Sequence, residues 1–410
     1  MLSSTLPHTH VLMQVTGTKQ HSRCCLFLAM LMEVLFACLP LSAAQPVKGV
    51  AGVLQPFVDS HTLAGAVTLV ASQEKILSLE AAGWADIATS RLMKTDALFW
   101  IASQSKPLTA TALMMLVDEG KVNVDDQVEK YLPEFHGQWL AVEQDKEHVL
   151  LKKPARSIVV RDILSHTSGL PFSSRLEREG DALKIDRLSL REAVLSYALT
   201  PLNSEPGTKY AYSNAGINTA GRIVEVISGM RYEEFMTRRL FEPLGMVDTT
   251  LWPTQKQIGR LAKSYKPNAE KNGLEETPID QLSYPLTDHK RGPSPAGGFF
   301  STATDLSIFC RMILNGGIYQ GKRYLSESAV GQMTSTQTGD LPEAYGFGWS
   351  TNRNPGSSFG HGGAYSTNMQ IDPQRRLITI FMVQHAGYPG PDGDKVLPAF
   401  KEAVIRAFGK

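Results

Sequence analysis

Apolar and polar positions alternate near both ends of the chain, whereas apolar positions recur at helical spacing in the middle. Residues 64–85 alternate and predict a strand hairpin, and residues 47–60 before them are typical of a helix. Further patterns predict strands near 345–350, 364–371 and 377–383, and an amphipathic helix from about Lys395 to Phe408. The middle favours helices joined by long polar loops, including Glu143 to Arg156 and Leu176 to Asp186.

Strands on either side of a helical middle imply that the two ends of the chain share one sheet. The pattern therefore predicts an α/β (α+β) chain with an inserted helical domain. We assign residues 45–102 plus 295–410 to the α/β domain and residues 103–294 to a mostly helical domain, after a targeting segment in residues 1–44. Clefts between such units are common active sites.

A serine and a lysine stand three residues apart in Ser103-Gln104-Ser105-Lys106. The helical pattern from Leu108 to Glu119, ended by Gly120, predicts that Ser103 is the N-cap of a helix. Because residues three apart share a helix face, the Lys106 amine is expected beside the Ser103 hydroxyl. A lysine shielded from water loses proton affinity and can then act as the base that activates a serine.

Two later motifs supply partners for this pair. Tyr212-Ser213-Asn214 is the only Y-x-N in the chain and leads into the helical run Ile217 to Ile227. His361-Gly362-Gly363 comes just before a strand pattern that ends near Ile371. A phenol and an amine near one serine give two routes for its proton, and an asparagine amide can hold a substrate carbonyl. Glycines beside a strand edge let a substrate approach the backbone closely.

With these three motifs, the chain resembles the serine β-lactamase and penicillin-binding-protein superfamily. More narrowly, it is similar to the class C β-lactamase-related branch, which includes D-alanyl-D-alanine carboxypeptidases, D-amino-acid peptidases and family VIII carboxylesterases. The resemblance extends, in matching order, to Asp162-Ile163-Leu164-Ser165-His166-Thr167-Ser168-Gly169-Leu170, Phe241-Glu242-Pro243-Leu244-Gly245-Met246, Gly297-Gly298-Phe299-Phe300-Ser301-Thr302 and Tyr345-Gly346-Phe347-Gly348-Trp349. It implies a β-lactamase/transpeptidase-like fold, with an antiparallel sheet flanked by helices.

The resemblance also implies roles for individual residues. Ser103 would be the acylated nucleophile, and Lys106 with Tyr212 the proton-transfer pair. The substrate would be bound by Asn214, His361, Gly362 and Gly363, and the oxyanion hole would be formed by the backbone N–H groups of Ser103 and Ala364. The implied mechanism is acyl transfer in two steps, in which Ser103 attacks a carbonyl, the protonated leaving group departs, and water cleaves the acyl-enzyme.

One position departs from the class C pattern. Those enzymes usually have Lys-Thr-Gly where this chain has His361-Gly362-Gly363, so a permanent cation is replaced by a group that is mostly neutral at pH 7. The substitution favours an esterase or a D-amino-acid peptidase over a dedicated β-lactamase. The alternative class is a penicillin-binding or peptidoglycan-sensing module that deacylates slowly or is inactive.

Four competing motif matches have unsuitable surroundings. Ser72-Gln73-Glu74-Lys75 is predicted to be a hairpin turn, and Lys271-Asn272-Gly273 lies in a polar segment without a strand pattern. His385-Ala386-Gly387 follows a strand pattern where a loop is expected, and Gly356-Ser357-Ser358-Phe359-Gly360 lacks the preceding strand and following helix of a nucleophile elbow. For His166 we expect a role in helix-end and loop packing.

Composition narrows the possible partners. The chain has 410 residues, 42% of them hydrophobic and 20% charged, with a net charge of +1, so nothing favours nucleic acid. Neither a paired-histidine metal motif nor a nucleotide fingerprint is present in the sequence, and we therefore expect no cofactor. The expected partner is a small-molecule or peptide acyl substrate, and the oligomeric state is left open.

The N-terminus has the pattern of an export signal. Lys19 and Arg23 precede a largely apolar run from Cys24 to Leu41, and small residues follow up to a cleavage site after about Ala44. We therefore expect a periplasmic or extracellular protein. Membrane attachment is expected only through this segment, either uncleaved or lipidated at Cys38. Removal of residues 1–44 would leave Cys310 as the only cysteine, in a helical pattern where core packing is expected.

Overall fold

Strands from both ends of the chain pair in one antiparallel sheet. The computed structural model describes residues 49–174 and 185–409. Its strands are β1 (Gly65–Ser72), β2 (Ile76–Asp86), β3 (Arg91–Leu92), β4 (Phe99–Trp100), β5 (Leu140–Gln144), β6 (Val149–Lys152), β7 (Ser264–Pro267), β8 (Leu274–Thr277), β9 (Phe300–Ser301), β10 (Ile318–Tyr319), β11 (Lys322–Arg323), β12 (Phe359–Gly362), β13 (Asn368–Asp372) and β14 (Leu377–Met382). The central sheet has the order β12-β13-β14-β1-β2-β3, which confirms that the two ends share it.

Strand β1 lies in the middle of this sheet and is covered on both faces. It pairs with β14 on one side, where Leu69 faces Ile380, and with β2 on the other, where Leu69 faces Leu79. Its side chains alternate between two cores, because Ala66 and Val70 pack with the C-terminal helix while Val67 and Leu69 pack on the opposite face. Burial on both faces explains why this strand is almost entirely apolar.

Helices cover the sheet and, joined by long loops, are the main regular elements in the middle of the chain. They are α1 (Gln55–Asp59), α2 (Ser105–Asp118), α3 (Val160–Leu164), α4 (Leu190–Ala198), α5 (Asn214–Ser228), α6 (Tyr232–Phe235), α7 (Glu242–Leu244), α8 (Gln255–Ile258), α9 (Ala303–Leu314), α10 (Glu327–Thr334) and α11 (Val396–Phe408), with a π-helical stretch at Met236–Phe241. Helix α2 is buried on every side from Ser105 to Leu116, which places its first turn inside the protein.

The long apolar patterns predict their elements correctly, but several short ones do not. The expected strand at 345–350 makes only isolated bridges, such as the one between Tyr345 and Ser350. The strand expected at 364–371 begins at Asn368, because the Gly363 N–H donates to the Thr367 carbonyl at 2.8 Å and closes a turn. The polar stretches around 143–156 and 266–277 contain the hairpins β5–β6 and β7–β8.

Two further expectations cannot be compared with the fold. The targeting segment in residues 1–44 and most of the predicted loop from Leu176 to Asp186 lie outside the described residues. The division into residues 45–102 plus 295–410 and residues 103–294 stays a prediction. In the described part of the chain, no helix is both long enough and apolar enough to span a membrane.

Candidate active site

Ser103 lies in a tight turn before helix α2. Residues Ala102–Gln104 form a turn of 3-10 helix, and α2 begins at Ser105, so the prediction that Ser103 is the N-cap is wrong. The preceding residue, Ala102, has a φ of 45°, which is unfavourable for a residue with a Cβ. Buried Ser105 stabilises the turn, since its hydroxyl donates to the Ala102 carbonyl at 2.6 Å and accepts from the Phe299 N–H at 3.2 Å.

Lys106 is completely buried, with its amine beside the Ser103 hydroxyl. Its Nζ lies 3.1 Å from Ser103 Oγ, 2.8 Å from Asn214 Oδ1 and 2.9 Å from the Ala296 carbonyl oxygen. Burial holds the pKa of Lys106 well below the usual value of 10.5. A neutral amine has two N–H bonds for the Asn214 and Ala296 oxygens and a lone pair for the Ser103 proton. The geometry therefore suits a lysine that acts as a base.

Tyr212 completes the group around Ser103. Its hydroxyl is hydrogen-bonded to the Ser103 side chain. The Lys106 amine lies 4.6 Å from the centre of its ring. Burial raises the pKa of the Tyr212 phenol, although the Ser103 hydrogen bond partly opposes this rise. The Tyr212 phenol keeps its proton, whereas the neighbouring Lys106 amine has lost one. The phenol can therefore donate a proton and the amine can accept one.

Asn214 is the first residue of α5, and the helix start fixes its direction. Ser213 is the N-cap, and its hydroxyl accepts from the Gly216 N–H at 3.4 Å. The Asn214 Oδ1 atom accepts from Lys106, which leaves the amide N–H2 to contact a substrate carbonyl. The Y-x-N motif therefore lies against S-x-x-K in space, although 108 residues separate Asn214 from Lys106.

His361 lies in the last part of β12, and both of its ring nitrogens are engaged by the protein. Nδ1 lies 2.7 Å from the Gly362 carbonyl oxygen, so Nδ1 carries the proton. Nε2 lies 2.9 Å from the Tyr345 hydroxyl and accepts from it. Burial lowers the pKa of His361 to about 3. The imidazole is thus neutral and anchored, and it offers no cation to a substrate.

The backbone after β12 brings the two glycines and Ala364 to the site. Gly363 packs against the Ile101 carbonyl so closely that a Cβ would lie 2.6 Å from that oxygen. Gly362 and Ala364 are exposed, and the N–H of Ala364 has no acceptor among the described residues. Substrate binding by the glycines and His361, and an oxyanion hole at Ser103 and Ala364, stay predictions.

Three of the four competing motifs lie in the surroundings expected for them, but the polar segment around Lys271 forms the strands β7 and β8, which were not expected. Ser72 forms the β1–β2 turn, where its hydroxyl accepts from the Glu74 and Lys75 N–H groups. The Lys271 motif lies in the β7–β8 turn. Ser358 precedes strand β12, without a helix after it, and its hydroxyl accepts from Gln370. His385 is buried and accepts from the Ala64 N–H. No group of three potential metal ligands occurs among the described residues.

Sequence reasoning missed several contributors to this site. The Ala296 carbonyl, which accepts from Lys106, belongs to a backbone group that no side-chain motif could have indicated. Tyr345 was noted only as part of a family segment, yet its hydroxyl holds His361. The packing role expected for His166 is observed, and its ring packs at a tilt against Tyr212, with 4.4 Å between ring centres, and against Tyr345, with 4.6 Å.

Comparisons with known proteins show the family of this chain. A family model described as Beta-lactamase matches residues 50–399. An uncharacterized protein of Mycobacterium tuberculosis (strain CDC 1551 / Oshkosh) is 32% identical over 362 residues, which is 80% of this chain and 87% of the relative. A protein of Salmonella agona (strain SL483), named as a D-alanyl-D-alanine carboxypeptidase, is 27% identical and covers 71% of this chain and 70% of its own length.

A solved structure supports the fold. EstCE1, described as a hydrolase with promiscuous acyltransferase activity, superposes with a TM-score of 0.71 and 22% identity. The match covers 87% of this chain and 97% of EstCE1. At this level of identity the likeness concerns the fold alone. It agrees with the predicted antiparallel sheet flanked by helices.

Proposed function

This chain belongs to the β-lactamase family, and within that family we propose that it is a serine hydrolase that cleaves carboxylic esters or amides through an acyl-Ser103 intermediate. The observation that carries the proposal is the buried amine of Lys106, which lies 3.1 Å from the Ser103 hydroxyl. Burying a lysine is unfavourable. Burial lowers the Lys106 pKa, and no neighbouring carboxylate in residues 49–174 and 185–409 acts to raise it. Such an arrangement is expected where a neutral amine is needed.

The first half-reaction uses both proton-transfer groups. The Ser103 Oγ atom bonds to the substrate carbonyl carbon while its proton passes to the Lys106 Nζ atom. Negative charge develops on the carbonyl oxygen, where the N–H groups of Ser103 and Ala364 are proposed to donate. The bond to the leaving group then breaks, and the leaving oxygen or nitrogen takes a proton from the Tyr212 hydroxyl, which is replenished from Lys106. The product of this half-reaction is acyl-Ser103 and a free alcohol or amine.

The second half-reaction reverses these roles. A water molecule takes the place of the leaving group and loses its proton to the lysine–tyrosine pair as it attacks the ester of acyl-Ser103. The Ser103 Oγ atom departs and regains its proton. Because both half-reactions use the same groups, an alcohol could replace water as the acceptor. EstCE1 is described as a hydrolase with promiscuous acyltransferase activity.

His361 supports a preference among substrates. An imidazole that is neutral and held by the Gly362 carbonyl and the Tyr345 hydroxyl cannot pair with a substrate carboxylate as a lysine would. Esters and amides without a negative charge near the scissile bond are therefore favoured over cephalosporins, and a D-alanyl-D-alanine peptide, whose carboxylate lies next to the scissile amide, tests how far this preference extends. The M. tuberculosis relative is uncharacterized, and the Salmonella relative is named for D-alanyl-D-alanine cleavage. Ester and D-amino-acid peptide substrates should therefore be compared directly.

A turnover experiment separates this proposal from the alternative of a slowly deacylating sensor. The protein, Ser103→Ala and the matched control Ser358→Ala are each incubated with p-nitrophenyl butyrate, a D-alanyl-D-alanine peptide and a fluorescent penicillin. If the protein is a hydrolase, it should turn over the ester or the peptide many times. This activity should be lost in Ser103→Ala and kept in Ser358→Ala. Stoichiometric labelling by the penicillin without turnover of any substrate would instead support the sensor. Activity that survives in Ser103→Ala but not in Ser358→Ala would refute both.

A further inference from the structure

His166 contacts the backbone on both sides of Tyr212. Its carbonyl accepts from the Ala211 N–H at 2.8 Å, and its ring atom Nδ1 accepts from the Ser213 N–H at 3.1 Å. The ring itself lies on the Tyr212 ring, with 4.4 Å between the centres. Three separate contacts therefore connect this one residue to a segment of three residues centred on Tyr212.

The backbone and the protonation state of His166 both suit these contacts. Its φ of 60° turns the carbonyl and the ring toward the same segment, a conformation that few residues with a Cβ adopt. Burial lowers the pKa of His166 well below its usual value. A neutral ring keeps the Nδ1 lone pair for the Ser213 N–H, whereas a protonated ring would lose this acceptor.

Stability alone does not account for a histidine at this position. Because Nδ1 accepts, the proton of the neutral ring is on Nε2, and this buried N–H has no acceptor among the described residues. A buried donor without a partner is unfavourable, as is the left-handed backbone. Such costs are typical of residues that serve a functional site.

We propose that His166 is a positioning residue that fixes the Tyr212 hydroxyl against Ser103 for protonation of the leaving group. This inference rests on the proposed function, because it requires Ser103 to be acylated and Tyr212 to deliver a proton. His166 acts through its contacts with the backbone and ring of Tyr212, and it exchanges no proton with the substrate. The neighbouring groups that titrate are Lys106, Tyr210, Tyr345 and His361.

Asparagine and leucine substitutions separate this role from simple packing. Asparagine tolerates a left-handed backbone and carries a side-chain oxygen that can accept from the Ser213 N–H. Leucine fills space but accepts no hydrogen bond. His166→Asn is therefore the conservative variant, and His166→Leu is the disruptive one. Melting temperatures of both variants test whether they are folded, independently of catalysis.

The test compares two esters with the same acyl group and different leaving groups. p-Nitrophenolate departs without protonation, whereas the ethoxide of ethyl butyrate needs a proton. For His166→Leu we expect kcat/KM to fall about 100-fold for ethyl butyrate and less than about fivefold for p-nitrophenyl butyrate. His166→Asn should recover most of the ethyl ester activity. In a Tyr212→Phe background, His166→Leu should add less than about a threefold loss, because the group it positions is gone.

Other outcomes distinguish a failure of the role of His166 from a failure of the proposed function. Equal losses on both esters, or a full additional loss in the Tyr212→Phe background, would overturn the role of His166 while Ser103-dependent turnover still supported the proposed function. Hydrolysis that does not depend on Ser103 would overturn both.

Discussion

A methyl group added at Gly363 should disturb the site, whereas one added at the adjacent Gly362 should not. A Cβ at Gly363 would lie 2.2 Å from Thr367 Oγ1 and 2.6 Å from the Ile101 carbonyl oxygen. Real Cβ atoms do not approach other atoms so closely, and Thr367 is buried with little room to rotate. Relief therefore requires a shift of the turn at residues 363–367 or of the backbone just before Ser103.

Both possible shifts affect catalysis. The Gly363 N–H closes the turn that presents Ala364, and the Ile101 carbonyl accepts from the Gln104 N–H at 3.0 Å in the turn that holds Ser103. Overpacking of this kind costs about 1–3 kcal/mol of stability. Displacement of one oxyanion donor costs about 100-fold to 1,000-fold in kcat. We therefore expect Gly363→Ala to lose at least about 100-fold in kcat while it remains folded.

Gly362→Ala is the matched control. Its Cβ would meet only the Thr367 carbonyl oxygen at 3.6 Å, an ordinary contact distance, and the position is exposed. We expect a stability change within about 0.5 kcal/mol and a nearly unchanged kcat, with any loss of the predicted substrate contact at Gly362 appearing in KM. Urea unfolding gives the free energies, and hydrolysis of p-nitrophenyl butyrate gives kcat. Equal kcat values for the two variants would refute the close approach of Gly363 to Ile101, and with it the proposed place of the oxyanion hole.

Three further predictions concern the Lys106 amine, the hydrogen bond that holds the Ala296 backbone, and the Cys310 thiol. Burial holds the Lys106 pKa below 10.5, and the amine is neutral at any pH above this lowered pKa. We therefore expect kcat/KM to fall as the pH decreases through the lowered pKa. A profile that rises only near pH 10.5 would contradict a neutral lysine. Asn218 accepts from the Ala296 N–H at 2.9 Å. Asn218→Leu would leave that buried N–H unpaired, so we expect the free energy of unfolding in urea to fall by about 1–3 kcal/mol. An unchanged unfolding midpoint would argue against the contact. Cys310 is fully buried and burial raises its thiol pKa, so a thiol reagent should label Cys310 only after the protein unfolds. Rapid labelling of the Cys310 peptide in the native protein would contradict this packing.

The sequence predicted the central sheet because its strands have strong and regular patterns. In β1, alternate residues must pack into two different cores, and such a run has few other stable conformations. The short strand β12 was not predicted, because Gly360 and Gly362 carry no apolar signal and its position depends on pairing with β13. Pairing between distant segments is a tertiary property that local composition does not record.

The part of the site that depends on the spacing of residues along the chain could be predicted from the sequence. Ser103 and Lys106 are adjacent because they are three residues apart at a helix start, even though the expected cap was wrong. The partners of His361 were not predictable, because Tyr345 reaches it through a tertiary contact. The same holds for the Ala296 carbonyl.

The most direct test of the central claim is to trap the covalent intermediate. The protein is mixed with p-nitrophenyl butyrate, quenched in acid during turnover and digested, and the peptides are analysed by mass spectrometry. The proposed mechanism predicts one butyryl group on the peptide that contains Ser103, and none in Ser103→Ala. A butyryl group on Ser358, or continued turnover with no acylated peptide at any quench time, would contradict it.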